Sequence, residues 1–201
     1  VFPELCRQIL DNRPPAAKLH KGATVEVSQL ALPYRLYTDH DLAHRVVYVE
    51  ASRGCPFRCE FCLSSLDKGV RYFPLDGLLS QLEELYGRGA RRFKFIDRTF
   101  NLRIEVGQSI LRFFLEKSGV FLHFEMVPDR FPEELRELVS QFPPGVVQFE
   151  IGIQSFDAEV GQRISRRQDF AKLEDNLRFL RQHTGVHVHA DLIVGLPGED
   201  L

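Results

Sequence analysis

Three of the chain's four cysteines fall within eight positions, in the stretch RGCPFRCEFC, as Cys55, Cys59 and Cys62 with spacing C-x3-C-x2-C. Thiolates hold zinc and iron–sulfur clusters, so their number and spacing limit what they can carry. A structural zinc site closes four ligands, usually as two pairs, and neither a second C-x2-C nor an H-x3-5-H pair follows. A thioredoxin-like C-x2-C has no use for a third cysteine. Iron–sulfur clusters are normally held by four thiolates, and a [4Fe–4S] cluster held by three leaves one iron open to a substrate or a second cofactor. Cys6, the fourth cysteine, lies far off in sequence and reads as a small apolar residue. Two classes of function stay open on these residues: an enzyme built around an open iron, and a non-catalytic iron–sulfur or zinc module, for structure or electron transfer, whose last ligand comes from outside.

The elements that must position these thiols show a regular alternation. Short β-rich runs are expected at residues 45–52, 91–97, 120–127, 145–155 and 186–195, and helical runs at 75–89, 105–119, 132–142 and 169–183. A short extra helix is expected between residues 156 and 167. Strands alternating with helices of this length predict right-handed crossovers and a parallel sheet, either an incomplete barrel or an open α/β sheet. Gly89, Gly119 and Gly185 each fall where a helix must stop before a strand begins. The cysteine motif follows the first strand, on the loop at its C-terminal end, where α/β folds gather their active sites.

The strands carry a second signal. Alternate residues share a face, which groups Tyr48 with Glu50, Lys94 alone, His123 with Glu125, Glu150 with Gln154, and His187 with His189 and Asp191. The residues between them, among them Val47, Val49, Phe93, Phe95, Leu122, Phe124, Phe149, Ile151, Val186, Val188 and Leu192, are apolar and are expected to meet the helices. A polar lumen follows, with Glu50, Lys94 and Glu150 readable equally as a self-satisfied ion-pair network or as part of a site.

Composition sets the remaining bounds. With 201 residues, 44% of them hydrophobic, the chain can bury a core of its own, and 26 basic against 28 acidic side chains argue against a nucleic-acid surface. No apolar run approaches the ~20 residues of a membrane span, and no leader pattern opens the chain; a cytoplasmic protein with reduced thiols is expected. Residues 1–44 read as a linker or wrap-around arm that begins with a short amphipathic helix, FPELCRQIL, and residues 45–201 as the main domain. The chain opens on Val1 and stops in what reads as a site loop, so a piece of a longer protein is expected. GRGARR, residues 87–92, precedes a strand and lacks a third glycine, and so reads as a helix end instead of a dinucleotide fingerprint. Arg88, Arg91, Arg92 and Arg98 read as a solvated face. His183, His187 and His189 do not share one metal-ligand geometry.

C-x3-C-x2-C after the first strand of such a barrel, with the aromatic Phe61 just before the last cysteine, resembles the radical S-adenosylmethionine (radical SAM) superfamily. The resemblance covers about residues 45–201. It implies an α/β fold, a partial (β/α) TIM-like barrel with five of the usual six strands. It also implies a [4Fe–4S] cluster on Cys55, Cys59 and Cys62, with Phe61 placing backbone near the adenine. S-adenosylmethionine (SAM) would bind the open iron and be cleaved reductively to methionine and a 5′-deoxyadenosyl radical, for hydrogen abstraction, methyl transfer or rearrangement. A one-electron donor such as flavodoxin or ferredoxin and a small-molecule substrate are the implied partners. Where the family usually has a Gly-Gly-Glu-like turn, this chain reads DRTFN, leaving Asp97, Arg98 and Thr99 as candidate SAM contacts. Glu125 resembles an acid that contacts the methionyl group, and EIGIQSFD followed by ISRRQ implies Gln154 on the ribose and Arg166, or its neighbour Arg167, on the carboxylate. DLIVGLPGE implies Asp191 on the ribose and Ile193 on the adenine. SRGCPFRCEFCLSS further resembles the members that carry a cobalamin-binding domain before the barrel, which would place such a domain upstream of Val1, with residues 1–44 as its tail.

Overall fold

Alternating apolar residues in short β-rich runs form five parallel strands: β1 (Val47–Val49), β4 (Arg92–Phe95), β5 (Phe121–Met126), β6 (Val147–Gln154) and β7 (His187–Leu192), in the order β1-β4-β5-β6-β7. Helices α3 (Leu75–Gly87), α4 (Ile104–Leu115), α5 (Glu133–Val139) and α7 (Phe170–His183) connect them, and a short α6 (Ala158–Arg163) follows β6. The computed structural model describes residues 1–22, 25–67 and 69–199. They divide into two units, residues 1–31 and 32–201. The first contains the amphipathic helix α1 (Phe2–Leu10). The second begins inside the expected arm: residues 32–44, including α2 (Asp39–His44), pack on the barrel unit.

That packing has a reason. β1 is an edge strand, and an edge left bare is a template for unwanted pairing. The Tyr34 and Tyr37 hydroxyls accept hydrogen bonds from the outward N–H groups of Glu50 (3.0 Å) and Tyr48 (3.3 Å). Burial raises the Tyr34 hydroxyl's pKa to about 12. Arg88, expected on a solvated face, donates to Asp39 (2.9 Å) and to the Tyr37 carbonyl, tying this segment to the end of α3.

The apolar face of the sheet meets the helices through aromatic rings. Phe93, Phe95, Phe114, Phe124 and Phe149 are fully buried. Phe124 stacks on Phe95 with ring centroids 4.7 Å apart and lies 4.1 Å from Phe100. On the other face the register aligns Tyr48, Lys94, His123, Gln148 and His187 in one row and Glu125, Glu150 and His189 in the next. Gln148, two positions before Glu150, belongs to this lumen by the same alternation that places its neighbours.

Two local expectations change. Leu192, expected against the helices, is 58% exposed: it ends the edge strand β7, exposed along most of its length, and a β-bulge at Gly152/Gln154 sets it opposite Gln154. Gly89 ends α3 with a left-handed φ of +104°, as a helix stop does. Gly185 serves differently: α7 ends by Thr184, and a Cβ at Gly185 would lie 2.5 Å from the Pro144 Cα, so close backbone approach selects the glycine.

Candidate functional site

The cysteine loop is hung from both sides. After β1 the chain makes a short antiparallel pair, β2 (Ser52–Arg53) with β3 (Arg71–Tyr72), and the Phe73 N–H donates to the Ala51 carbonyl (3.0 Å). Gly54 then turns with φ +100°, and a Cβ there would run into the Gly69 carbonyl oxygen. Asp97, just past β4, is 2% exposed and accepts from the Ala51 N–H (3.0 Å) and the Ser52 hydroxyl (2.6 Å). Burial raises its pKa to about 6 against the pull of those hydrogen bonds. The sequence expectation of Asp97 as a ligand contact is therefore met differently: its carboxylate faces the root of the cysteine loop.

Beyond this root, Cys55, Cys59 and Cys62 line one cavity of about 260 Å³ at the C-terminal end of the sheet. Burial pushes the Cys55 thiol pKa up, and Cys59 and Cys62 beside it push the same way, while the Phe57 N–H and Arg166 oppose them. Among the described residues no three His, Cys, Asp or Glu side chains are placed to hold a single metal ion. A four-iron cluster places each thiolate on a separate iron and needs no such convergence.

The same cavity takes in Phe61, Arg98, Thr99, Glu125, Gln154, Arg166 and Asp191. They come from the C-terminal ends of the five parallel strands or the segments after them, which is how chain-distant residues meet in this architecture. Arg98 pairs with Glu125 at 3.0 Å. Burial raises the Glu125 pKa, opposed by Arg98. Deeper in, Glu150 accepts from His123 (2.8 Å) and Lys94 (3.4 Å). Burial alone would raise the Glu150 pKa, but Lys94 and His123 hold it below the usual range, and burial and Lys94 lower that of His123. Gln154 sits at the bulge in a left-handed conformation, φ +72°.

Two residues that line this cavity carry a buried donor with no partner among the described residues: the Thr99 hydroxyl, on a residue 4% exposed, and the Arg166 Nε. A buried donor without a partner costs about 1–3 kcal/mol unless a ligand or water satisfies it. Arg166 uses its other nitrogens on the Gly152 carbonyl and, at 3.6 Å, on the Cys59 sulfur. Arg167 also lines the cavity but is exposed. Ile193 lies elsewhere: its N–H donates to the Gln154 carbonyl (2.9 Å), and its side chain packs with Val160, Ile164 and Leu196 beside a neighbouring cavity. Asp129 and Gln168 line the site and were not singled out in the sequence, since both lie in loops where no periodicity marks a face.

The fold is a parallel five-stranded α/β sheet with a three-cysteine loop at its C-terminal mouth, and the comparisons with known proteins give the family. The radical SAM superfamily matches over residues 49–201. The chain belongs to the radical SAM superfamily, a superfamily of enzymes. Among characterised relatives, it is 26% identical over 195 residues to the ribosomal protein uS12 methylthiotransferase RimO of Geotalea uraniireducens, covering 89% of this chain and 43% of that protein. It is 26% identical over 164 residues to a tRNA-2-methylthio-N(6)-dimethylallyladenosine synthase of Acinetobacter baylyi, covering 76% of this chain and 34% of that protein. Among solved structures, the radical SAM methyltransferase TsrM of Kitasatospora setae, with cobalamin and a [4Fe–4S] cluster bound, has the same fold with a TM-score of 0.66 at 21% identity, over 77% of this chain and 32% of that one. The chain thus spans 43% or less of the length of these relatives. Among the described residues no helix is long and apolar enough to cross a membrane.

Proposed function

We propose that this chain is the catalytic core of a radical SAM enzyme that holds a [4Fe–4S] cluster on Cys55, Cys59 and Cys62 and binds SAM in the cavity beside them. The observation that carries this reading is that three thiols line one cavity together with Thr99 and Arg166, two residues that each carry a buried donor without a partner among the described residues. Such a cluster, when reduced, supplies the electron that cleaves SAM. The protein's own residues bind and shield. The guanidinium of Arg166, a residue that lines the cavity, is proposed to pair with the SAM carboxylate, a match of charge and planar geometry. The Thr99 hydroxyl offers a hydrogen bond from the turn after β4, where the family usually has glycines. Glu125 and Gln154 are proposed to contact the methionyl and ribose groups, with Asp191 completing the ribose contacts. Phe57, Met126 and Val127 form apolar walls that keep water from a reactive intermediate. A non-catalytic metal module would need none of the lumen carboxylates.

In the whole protein, cobalamin bound to a domain upstream of Val1 belongs to the same reading, supported by the sequence resemblance. Full-length protein with no such domain would remove that part alone. For the core, anaerobic reconstitution with iron and sulfide is expected to give four irons per chain, an absorption band near ~400 nm, and a reduced-state EPR signal that SAM perturbs. Cys55→Ala, Cys59→Ala and Cys62→Ala should each abolish stable assembly. Four irons retained by any one variant would refute the ligand set, and a full cluster indifferent to SAM would refute the SAM site.

A further inference from the structure

Cys59 is the buried member of the three thiols, 6% exposed, whereas Cys55 and Cys62 are partly open. Its sulfur is therefore shielded from water, and the donor that reaches it is Arg166 Nη1 at 3.6 Å, a distance suited to a sulfur acceptor. Arg166 takes part in no ion pair with a carboxylate among the described residues. Arg98, which also lines the cavity, is by contrast paired with Glu125. An uncompensated guanidinium thus faces the cysteine loop, and its charge is felt at Cys55 as well.

The chain invests in holding it there. α6 ends at Arg163, Ser165 adopts a left-handed φ of +56°, and the Arg166 N–H returns to the Gly161 carbonyl (2.8 Å). A Cβ at Gly161 would lie 2.8 Å from the Arg166 carbonyl oxygen, so the tight turn needs that glycine. One residue from the Arg166–Cys59 contact, the two loops are fastened twice: the Glu60 N–H donates to the Ile164 carbonyl (3.0 Å) and the Ser165 hydroxyl to the Glu60 carboxylate (3.0 Å). The register of the cysteine loop against the loop after α6 is therefore fixed at Cys59, and the Gly152 carbonyl holds the guanidinium from the β6 side.

We propose that Arg166 sets the reduction potential of the cluster by donating a hydrogen bond to the Cys59 sulfur. Reduction adds negative charge, and both a hydrogen bond to a ligand sulfur and a nearby cation favour the reduced state, raising the potential. This rests on the cluster assignment above. It differs from the SAM carboxylate role in the partner: here Nη1 meets the Cys59 sulfur.

The test is an EPR-monitored redox titration, without SAM, of the anaerobically reconstituted chain and its Arg166→Gln and Arg166→Lys variants. Arg166→Gln is expected to make reduction harder by roughly tenfold in equilibrium constant, about 59 mV for one electron. Arg166→Lys, which keeps the charge but not the fork, should fall between. A wild-type chain that forms no four-iron cluster would defeat the underlying assignment, a result separate from the tuning claim. With the wild-type cluster formed, an unchanged midpoint in Arg166→Gln at full iron content overturns the proposal. If Arg166→Gln fails to load, a wild-type midpoint in Arg166→Lys overturns it and a lowered one supports it. Loss of fold or cluster in both variants also overturns it, since Arg166 would then be a structural support.

Discussion

The Asp97 carboxylate lies in an almost dry site, held between the Ala51 N–H and the Ser52 hydroxyl, three residues before the first cysteine. Its pKa moves from the usual 3.8 to about 6 because burial disfavours the charged form more than the two donors restore it. An acid whose pKa is higher in the folded than in the unfolded state holds its proton more tightly when folded. The resulting stability is fully present below about pH 4 and is lost as the pH rises through about 6. At about 1.4 kcal/mol per pKa unit, the loss is on the order of 3 kcal/mol. Asp97→Asn, nearly the same shape and uncharged, should flatten this part of the profile, measured by urea unfolding of both chains from pH 4 to 7. Parallel profiles would place the pH dependence elsewhere. Arg98 and Glu125 form a different case, an ion pair at the cavity mouth in which the arginine is exposed and the glutamate largely buried.

At the scale of elements, the cysteine loop is shaped by its neighbours more than by its own sequence. Gly54 turns at φ +100° under the Gly69 carbonyl, a position where any side chain meets both backbone strain and a collision. Gly54→Ala should cost at least about 1–3 kcal/mol and lower the iron bound per chain. A thermal melt beside an iron assay checks both, and wild-type values in both would show that the loop tolerates another path. The β6 bulge acts similarly: by shifting register at Gly152/Gln154 it turns Gln154 into the mouth and leaves the Gly152 carbonyl for Arg166. Alternation along the strands predicted most of the lumen face. It could not predict the bulge, which arises from one left-handed residue.

Across the whole molecule, one aromatic core joins the three middle strands of the sheet, which carry or lead into site residues. Phe124 contacts Phe95, Phe100 and Phe149, and so links β4, β5 and β6 through their apolar face. Phe124→Ala should destabilise the protein by about 3–5 kcal/mol in a single cooperative transition seen alike by far-UV circular dichroism and tyrosine fluorescence. Two separated transitions would mean that the strands do not unfold together.

The sequence alone determined the alternation of strands and helices, the polar lumen, the crowding of three thiols after the first strand and the family they point to, because these depend on periodicity and local spacing. Local signals also foretold the extra helix after β6, whose N-cap Asp157 accepts from two backbone N–H groups. The tertiary structure decided which polar residues face the cavity and which serve the scaffold. Asp97 turned toward the loop root, Ile193 toward a separate apolar cluster, and Tyr34 and Tyr37 onto the edge of β1. Those outcomes depend on contacts between residues tens of positions apart, where burial and unmet hydrogen bonds on one element select the partner on another. RGCPFRCEFC announces three ligands; only the folded chain brings Arg166 to the buried one.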